Sequence, residues 1–394
     1  GALVSTRTDG DTTTQQIALP PDFAPGNTTI KFVDCPAVGS CVAAGDDNVH
    51  GLLLELANGT WTASEADLDQ GKNVGQISGL SCAAPGECTA TGSSASAGPV
   101  LLRLHDGSWT TTGVVPPHSH SGEAGLTGID CASASYCLAA GYYGYGATHP
   151  GAFVVQIADG VQTVRRVPDS PRDGVATNID AVQCPAVGQC TLIGEFGTRF
   201  PHKGSDFVSV RNGSAFVVTP IPLPAGPAPG STLGSSYGPR ATMSCPAVSL
   251  CYAAGAYNEH LPAVVRLKGT TVHFYALPRP AGEPNAIVSV DDIDCASRDA
   301  CTAVGTGDFR SFNSSSEGAY YTFADGVWTT EVSQKAPGQK ARPTLTDYTA
   351  VDCPAAGACI ADGNYAWDLK RDDDDDGELL YMKASGLVST ETPN

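Results

Sequence analysis

Short apolar runs recur along the chain as LLLEL, VLLRL, FVVQI, FVSV, AVVRL, AYYTF and ELLYM. Each is too short for a helix and is bounded by turn-forming residues, the mark of a buried strand. Most lead into a tight pair: Asn58-Gly59, Asp106-Gly107, Asp159-Gly160, Asn212-Gly213 or Asp325-Gly326. Such pairs supply the positive φ that a two-residue hairpin needs. The next segment leaves through Thr and Val and often ends at a proline, as at Pro116, Pro168, Pro222 and Pro278. Upstream, one strand runs into a cysteine, as in Ile30 to Asp34. Another starts on the following cysteine and stops at a glycine: Gly45, Gly92, Gly141, Gly194, Gly255, Gly305 or Gly363. The pattern predicts four strands per repeat, and no segment of ten or more residues keeps a helical period.

The cysteines punctuate that pattern. They fall as Cys35 and Cys41, Cys82 and Cys88, Cys131 and Cys137, Cys184 and Cys190, Cys245 and Cys251, Cys295 and Cys301, and Cys353 and Cys359, one C-x5-C spacing used seven times. Metal ligation would require a second pair or histidines in fixed register, and the eight histidines keep none. A disulfide closing the hairpin of each repeat fits the turn-forming residues between the cysteines. Each closure contributes roughly 2 to 2.5 kcal/mol on the chain-entropy model. Disulfides on this scale imply an oxidising compartment, hence a secreted, extracellular protein whose signal peptide has already been removed.

Repeats of this length predict an all-β seven-bladed β-propeller with four-stranded antiparallel blades and one intra-blade disulfide each. The expected blades are 29–70, 71–118, 122–170, 174–224, 238–282, 286–335 and 345–394. Residues 1–28 form an N-terminal arm whose strand, Thr12 to Pro20, closes the last blade. The competing source of that strand is Leu387 to Pro393.

Strand alternation puts the uniform cysteine turns and the Gly turns on one face, and all the unlike loops on the other. Recognition is expected on the variable face. Tyr143, Phe196, Tyr257 and Tyr365 each follow the strand-ending glycine by two positions. These rings either pack between blades or offer faces on which sugars stack. Tyr145, Arg199, His260, Phe309 and Arg310 lie in the same loops. Trp367, beside Asp368, is the leading recognition residue, whereas Trp61, Trp109 and Trp328 share one register after the Gly turn and read as structural. Asp372, Asp374 and Asp376 followed by Gly377 resemble the start of a calcium loop, but the twelfth position is Lys383 instead of Glu, which excludes an EF-hand. Ca2+ is therefore a candidate ion at a reduced site, the alternative being a solvated loop, and no other cofactor is indicated. His118, His120 and Glu123 are a weaker metal candidate.

Catalytic signatures are poor. GSSYG at Gly234 to Gly238 matches a nucleophile motif but lies in a Pro/Gly loop rather than between a strand and a helix. Asp180, Asp291 and Asp362 face the channel from different blades, so sequence alone cannot pair them as acids for glycoside hydrolysis.

Composition adds exclusions. With 22 Lys and Arg against 41 Asp and Glu, the formal charge is −19, which repels nucleic acid. No apolar stretch approaches the length of a membrane span, so neither nucleic acid nor membrane insertion is expected.

The repeated CPAVG-x-C and C-x-AAG text, with G-x-W-T turns, resembles the propeller modules of secreted actinobacterial proteins, including the lectin-type subunits of umbrella toxin particles. The resemblance implies glycan or polysaccharide recognition by loops, without catalysis, as a targeting subunit with protein partners in a larger secreted toxin assembly. The alternatives are a polysaccharide-degrading hydrolase or lyase and a protein-binding inhibitor or scaffold.

Overall fold

The computed structural model describes residues 2–8, 11–23, 28–37, 39–47, 49–57, 59–68, 72–73, 75–94, 98–117, 123–145, 151–168, 175–197, 205–212, 215–221, 242–257, 261–269, 271–279, 287–308, 316–332, 345–355, 358–367 and 382–391. Their regular structure is strand. A hairpin of β1 (Ala2–Thr8) and β2 (Asp11–Ile17) precedes the repeats. The first repeat forms β3 (Thr29–Ala37), β4 (Ser40–Asp46), β5 (Gly51–Ala57), β6 (Thr60–Leu68) and the short β7 (Lys72–Asn73). The second contains β8 (Gln76–Ala84), β9 (Glu87–Ser94), β10 (Gly98–His105) and β11 (Ser108–Gly113). Then come β12 (Glu123–Ser133), β13 (Tyr136–Tyr145), β14 (Gly151–Ala158) and β15 (Val161–Arg166). The fourth repeat has β16 (Val175–Ala186), β17 (Gln189–Gly197), β18 (Ser205–Asn212) and β19 (Ala215–Pro220). The fifth has β20 (Thr242–Ala247), β21 (Leu250–Tyr257), β22 (Leu261–Lys268) and β23 (Thr271–Ala276). The sixth has β24 (Ile287–Val288), β25 (Asp292–Ser297), β26 (Ala300–Asp308), β27 (Ser316–Ala324) and β28 (Val327–Val332). Last are β29 (Leu345–Ala355), β30 (Ala358–Trp367) and β31 (Met382–Glu391).

The expectation of seven four-stranded blades is corrected to five. Five sheets have a pairing path of four strands: β8 to β11, β12 to β15, β16 to β19, β20 to β23, and β24-β26-β27-β28 with β25 also on β26. The first repeat departs because β7 pairs back onto β6, so its path has five strands, β3 to β7. The last repeat has three, because among the described residues β31 alone follows β30 in its sheet. β1 lies alongside β31. Neighbouring strands within the sheets are antiparallel, and the first strands of successive repeats neighbour one another from β3 round to β29 and back to β3, so the sheets close a ring.

All fourteen cysteines are bridged, each to the partner that the spacing predicts. Cys35 bonds to Cys41, Cys82 to Cys88, Cys131 to Cys137 and Cys184 to Cys190. Cys245 bonds to Cys251, Cys295 to Cys301 and Cys353 to Cys359. Each bridge joins the first hairpin of its repeat, with Cα atoms 3.9 to 4.1 Å apart. In three repeats the two partners sit directly opposite each other: Cys82 and Cys88, Cys131 and Cys137, and Cys295 and Cys301. The Gly turns form as expected: φ is 50° at Asp106 and 71° at Gly107, and 49° and 80° at Asp159 and Gly160.

The marker glycines do not end the second strands. They lie inside them, and five of them, Gly45, Gly92, Gly141, Gly194 and Gly363, face a bulge in the first strand. The register slips between Ile30 and Phe32 opposite Gly45, and between Leu126 and Gly128 opposite Gly141. A Cβ on Gly141 would stand 2.2 Å from the Gly125 carbonyl oxygen. In the sixth repeat the same crowding splits the first strand into β24 and β25 around Ser289, whose carbonyl oxygen lies 2.1 Å from where a Gly305 Cβ would be.

The third strands explain the continuous apolar runs. Where side chains are described, as in β5, β10, β14 and β22, the sheet is covered on both sides, so neighbouring residues of one strand enter different cores. Val264 packs with Tyr321 of the following sheet, while Val265 joins Ile193 of the preceding one. Leu53 and Leu102 share a core in the same way. Burying one such side chain contributes about 1.5 to 3 kcal/mol. Outer strands alternate between exposed and half-buried, as in β11 and β15. The arm docks on the first sheet through Ile17 and Phe23, which pack with Leu52, Leu54 and Trp61.

Candidate functional site

The first strands line the channel, and each enters at the variable face and ends at its cysteine turn. Four residues before the leading cysteine, near the variable face, stand Lys31, Ser78, Thr127, Asp180 and Asp291. Lys31 Nζ donates to both oxygens of Asp46, at 2.9 and 2.7 Å. Asp46, 1% exposed, also accepts from the Ile77 N–H of the next sheet. Asp180 accepts from Asn178 Nδ2 at 2.7 Å, and Asp291 from Ser289 Oγ at 3.2 Å. Both carboxylates are half-buried and oriented by neighbours two residues away.

Beside Lys31, the β4–β5 loop presents a histidine on a buried carboxylate. Asp47 Oδ1 accepts from the Val49 and His50 N–H groups, at 2.9 and 2.6 Å, and its Oδ2 lies 3.1 Å from His50 Nδ1. Asp47 is 4% exposed and His50 19%. The hydrogen bond to Asp47 raises the His50 pKa above its ordinary value, against the opposing effect of burial, with Glu65 and Asp22 adding attraction. Phe23 of the arm tilts over the imidazole at 5.6 Å.

Deeper in the channel, the residue just before the leading cysteine laces one sheet to the next at five of the seven junctions. Asp34 Oδ2 accepts from the Cys82 N–H at 2.8 Å, Ser81 Oγ from Cys131 at 3.0 Å, and Asp130 from Cys184. Further round, Ser244 Oγ accepts from Cys295 at 3.0 Å and Asp294 from Cys353 at 2.8 Å. The serines also donate forward, Ser81 to Asp130 and Ser244 to Asp294. A second rung joins Thr242 Oγ1 to Asp292 at 2.6 Å, and Asp292 to the Val351 N–H at 2.8 Å.

Burial pushes these acids up, and their mutual repulsion adds to it. Asp34 and Asp352 are raised to about 7 and Asp292 to about 6, while Asp130 and Asp294 are also raised. Sequence reading missed this ring and the Lys31–Asp46 and Asp47–His50 pairs. The signal for the ring was present: Asp or Ser precedes the leading cysteine in six of the seven repeats.

Of the residues singled out from sequence, only some lie among the described residues. Tyr143 is 3% exposed, tilts against Phe153 with centroids 6.3 Å apart, and covers Gly151. Tyr145, Phe196 and Tyr257 lie at or near the ends of β13, β17 and β21, and Tyr365 and Trp367 in the closing stretch of β30. Asp362 lies on β30 opposite Ala350 and Leu387. Arg199, His260, Phe309, Arg310, Asp368, Asp372, Asp374, Asp376, His118 and His120 fall outside the described residues. Among the described residues no group of three or more His, Cys, Asp or Glu is placed to hold a metal ion, and no helix is long and apolar enough to cross a membrane.

No protein-family model matches the chain, and no curated protein sequence matches it. Solved structures do. The chain is similar to YCF48 from Cyanidioschyzon merolae, at 12% identity over 86% of this chain and 94% of that one, with TM-score 0.51. It is also similar to a prolyl endopeptidase, at 12% identity over 91% of this chain and 49% of that one, with TM-score 0.50. SapL1 lectin, solved with alpha methyl fucoside, aligns at 12% identity over 79% of this chain and 98% of that one, with TM-score 0.44. At such identities the likeness concerns fold. The chain is a β-propeller with one disulfide in each repeat.

Proposed function

We propose that the protein is a secreted carbohydrate-binding propeller that recognises glycans on its variable face without transforming them. The observation that carries this reading is the contrast between stapled, near-identical turns at one end of the strands and connections unlike one another in sequence at the other, where the carboxylates of Asp180 and Asp291 are preoriented. Fixed carboxylates accept hydroxyl hydrogen bonds, and aromatic rings stack on sugar C–H faces. The proposed contacts are Trp367, Asp368, Tyr365, Tyr145, Phe196, Arg199, Tyr257, His260, Phe309 and Arg310, with Asp372, Asp374 and Asp376 as a calcium loop, whereas the buried Tyr143 serves packing. The likeness of the repeat text to umbrella toxin lectin subunits extends the proposal to a targeting role in a secreted assembly. A glycan array with and without chelator tests it. Binding weakened by Trp367→Ala supports the site, and no binding to any glycan overturns the reading.

One observation favours a second reading. His50, held at Nδ1 by buried Asp47, has the arrangement of a general base, whose Nε2 would take the proton. A polysaccharide panel cleaved by the wild type and spared by His50→Ala would make the protein an enzyme.

A further inference from the structure

We propose that the carboxylates lacing the sheets around the channel form an acid-tightened closure, which loosens above neutral pH at the seam between the last sheet and the first. The proposal is independent of what the variable face binds.

Its basis is the geometry of the laces. Five forward hydrogen bonds from the position before the leading cysteine tie successive first strands, three of them accepted by aspartate. The chain is continuous across every one of those junctions. Among the described residues two junctions lack the lace: β16 to β20, where the position holds the neutral Gln183, and the seam, where β29 meets β3, the two strands are far apart in sequence, and none runs from the acidic Asp352 to Cys35. Instead Asp34 feels Asp352 as a like charge.

The groups facing these two acids are largely acidic. Asp34 feels Asp352, Asp130 and Asp294, with the Cys82 N–H opposing them. Asp352 feels Asp294 and Asp292, with the Cys353 N–H opposing. Burial is the larger cause for both, and it favours the protonated form. Both groups therefore hold protons in the folded ring at pH values where the unfolded chain, with an ordinary carboxylate near 3.8, has released them. Stability from this source is full below about pH 4 and is lost as pH rises through about 7. On protonation the seam loses its repulsion, and each carboxyl gains an O–H that can donate.

Thermal unfolding of the full chain at pH 5 and pH 8 tests the closure, using wild type, Asp34→Asn and Asp352→Asn. The wild type is expected to melt several degrees higher at pH 5. The Asn variants, uncharged and of the same shape, are expected to melt higher than wild type at pH 8 and to shrink the gap. Asp22→Asn and Asp106→Asn, which remove one exposed charge each, control for net charge. If the controls shrink the gap as much, or if wild type melts no higher at pH 5, the proposal is overturned. Should a seam variant not fold, hydrogen exchange on wild type decides. After correction for the intrinsic rate, protection at β3 and β29 is expected to fall between pH 5 and pH 8 more than at β12 and β16, and equal loss at all four overturns the seam.

Discussion

Trp109 Nε1 donates to Glu55 Oε1, which ties the outer strand of one sheet to the third strand of the sheet before it. The donor is half-buried, and its acceptor comes from a run, LLLEL, that is otherwise apolar. A single charged residue inside such a run is thus explained by a partner 54 positions away.

Glu55→Ala should therefore leave an indole N–H without an acceptor. The expected loss is about 1 to 3 kcal/mol, as for other charged hydrogen-bond partners removed from a part-buried donor. Urea unfolding followed by Trp fluorescence measures it. Adding Trp109→Phe to Glu55→Ala should cost little more, since the donor is then gone as well. A double variant that loses as much as the two single changes summed would show that the pair does not act as one unit.

Four repeats further on, the same relationship is frustrated. By repeat register Trp328 occupies the Trp109 place and Arg266 the Glu55 place, so a donor stands where the acceptor stood. Trp328 Nε1 and Arg266 Nε are both buried and have no hydrogen-bond partner. Arg266→Glu should restore the bond and stabilise the protein by about 1 kcal/mol. A fall in melting temperature would show that Trp328 does not point at residue 266.

How far the chain could be read depends on the range of each interaction. Cysteine pairing and the Asp-Gly turns are contacts over a few residues, and both follow from spacing and backbone preference. The number of four-stranded blades does not, because it is decided at the ends of the chain: β7 folds back on β6, and β31 lies between β30 and β1. The marker glycines are legible, but the bulge that most of them face belongs to another strand and leaves no signal beside the glycine itself. The acid ring escaped for a different reason. Attention to unlike loops passes over Asp34, Asp130, Asp294 and Asp352, which sit at a repeated position and look like scaffold.

The bulge makes its own prediction. Gly305→Ala and Gly141→Ala would press a methyl group onto a carbonyl oxygen of the facing strand, at 2.1 and 2.2 Å before relaxation. Main chain cannot yield as a flexible side chain does, so each should cost roughly 3 kcal/mol, the upper end for overpacking. Gly128→Ala is the control, since nothing lies within 4 Å of its Cβ position. Equal melting temperatures for all three variants would remove the steric explanation.

The cysteine turns contain one natural experiment. The fourth residue after the leading cysteine is Gly39, Gly86 and Gly188 in three repeats, with φ of 78°, 75° and 73°. In the fifth repeat Ser249 takes the same place at φ 62°. A left-handed conformation costs a residue with a Cβ about 1 to 2 kcal/mol relative to its ordinary backbone. Glycine removes that cost but returns part of it through a more flexible unfolded chain. Ser249→Gly should therefore stabilise the protein by about 0.5 to 1 kcal/mol, and Gly188→Ser should destabilise it by a similar amount. Paired thermal melts of the two variants, with the disulfides intact, read both signs. Two changes in the same direction would mean that the hydroxyl of Ser249, rather than its backbone conformation, sets the stability of that turn.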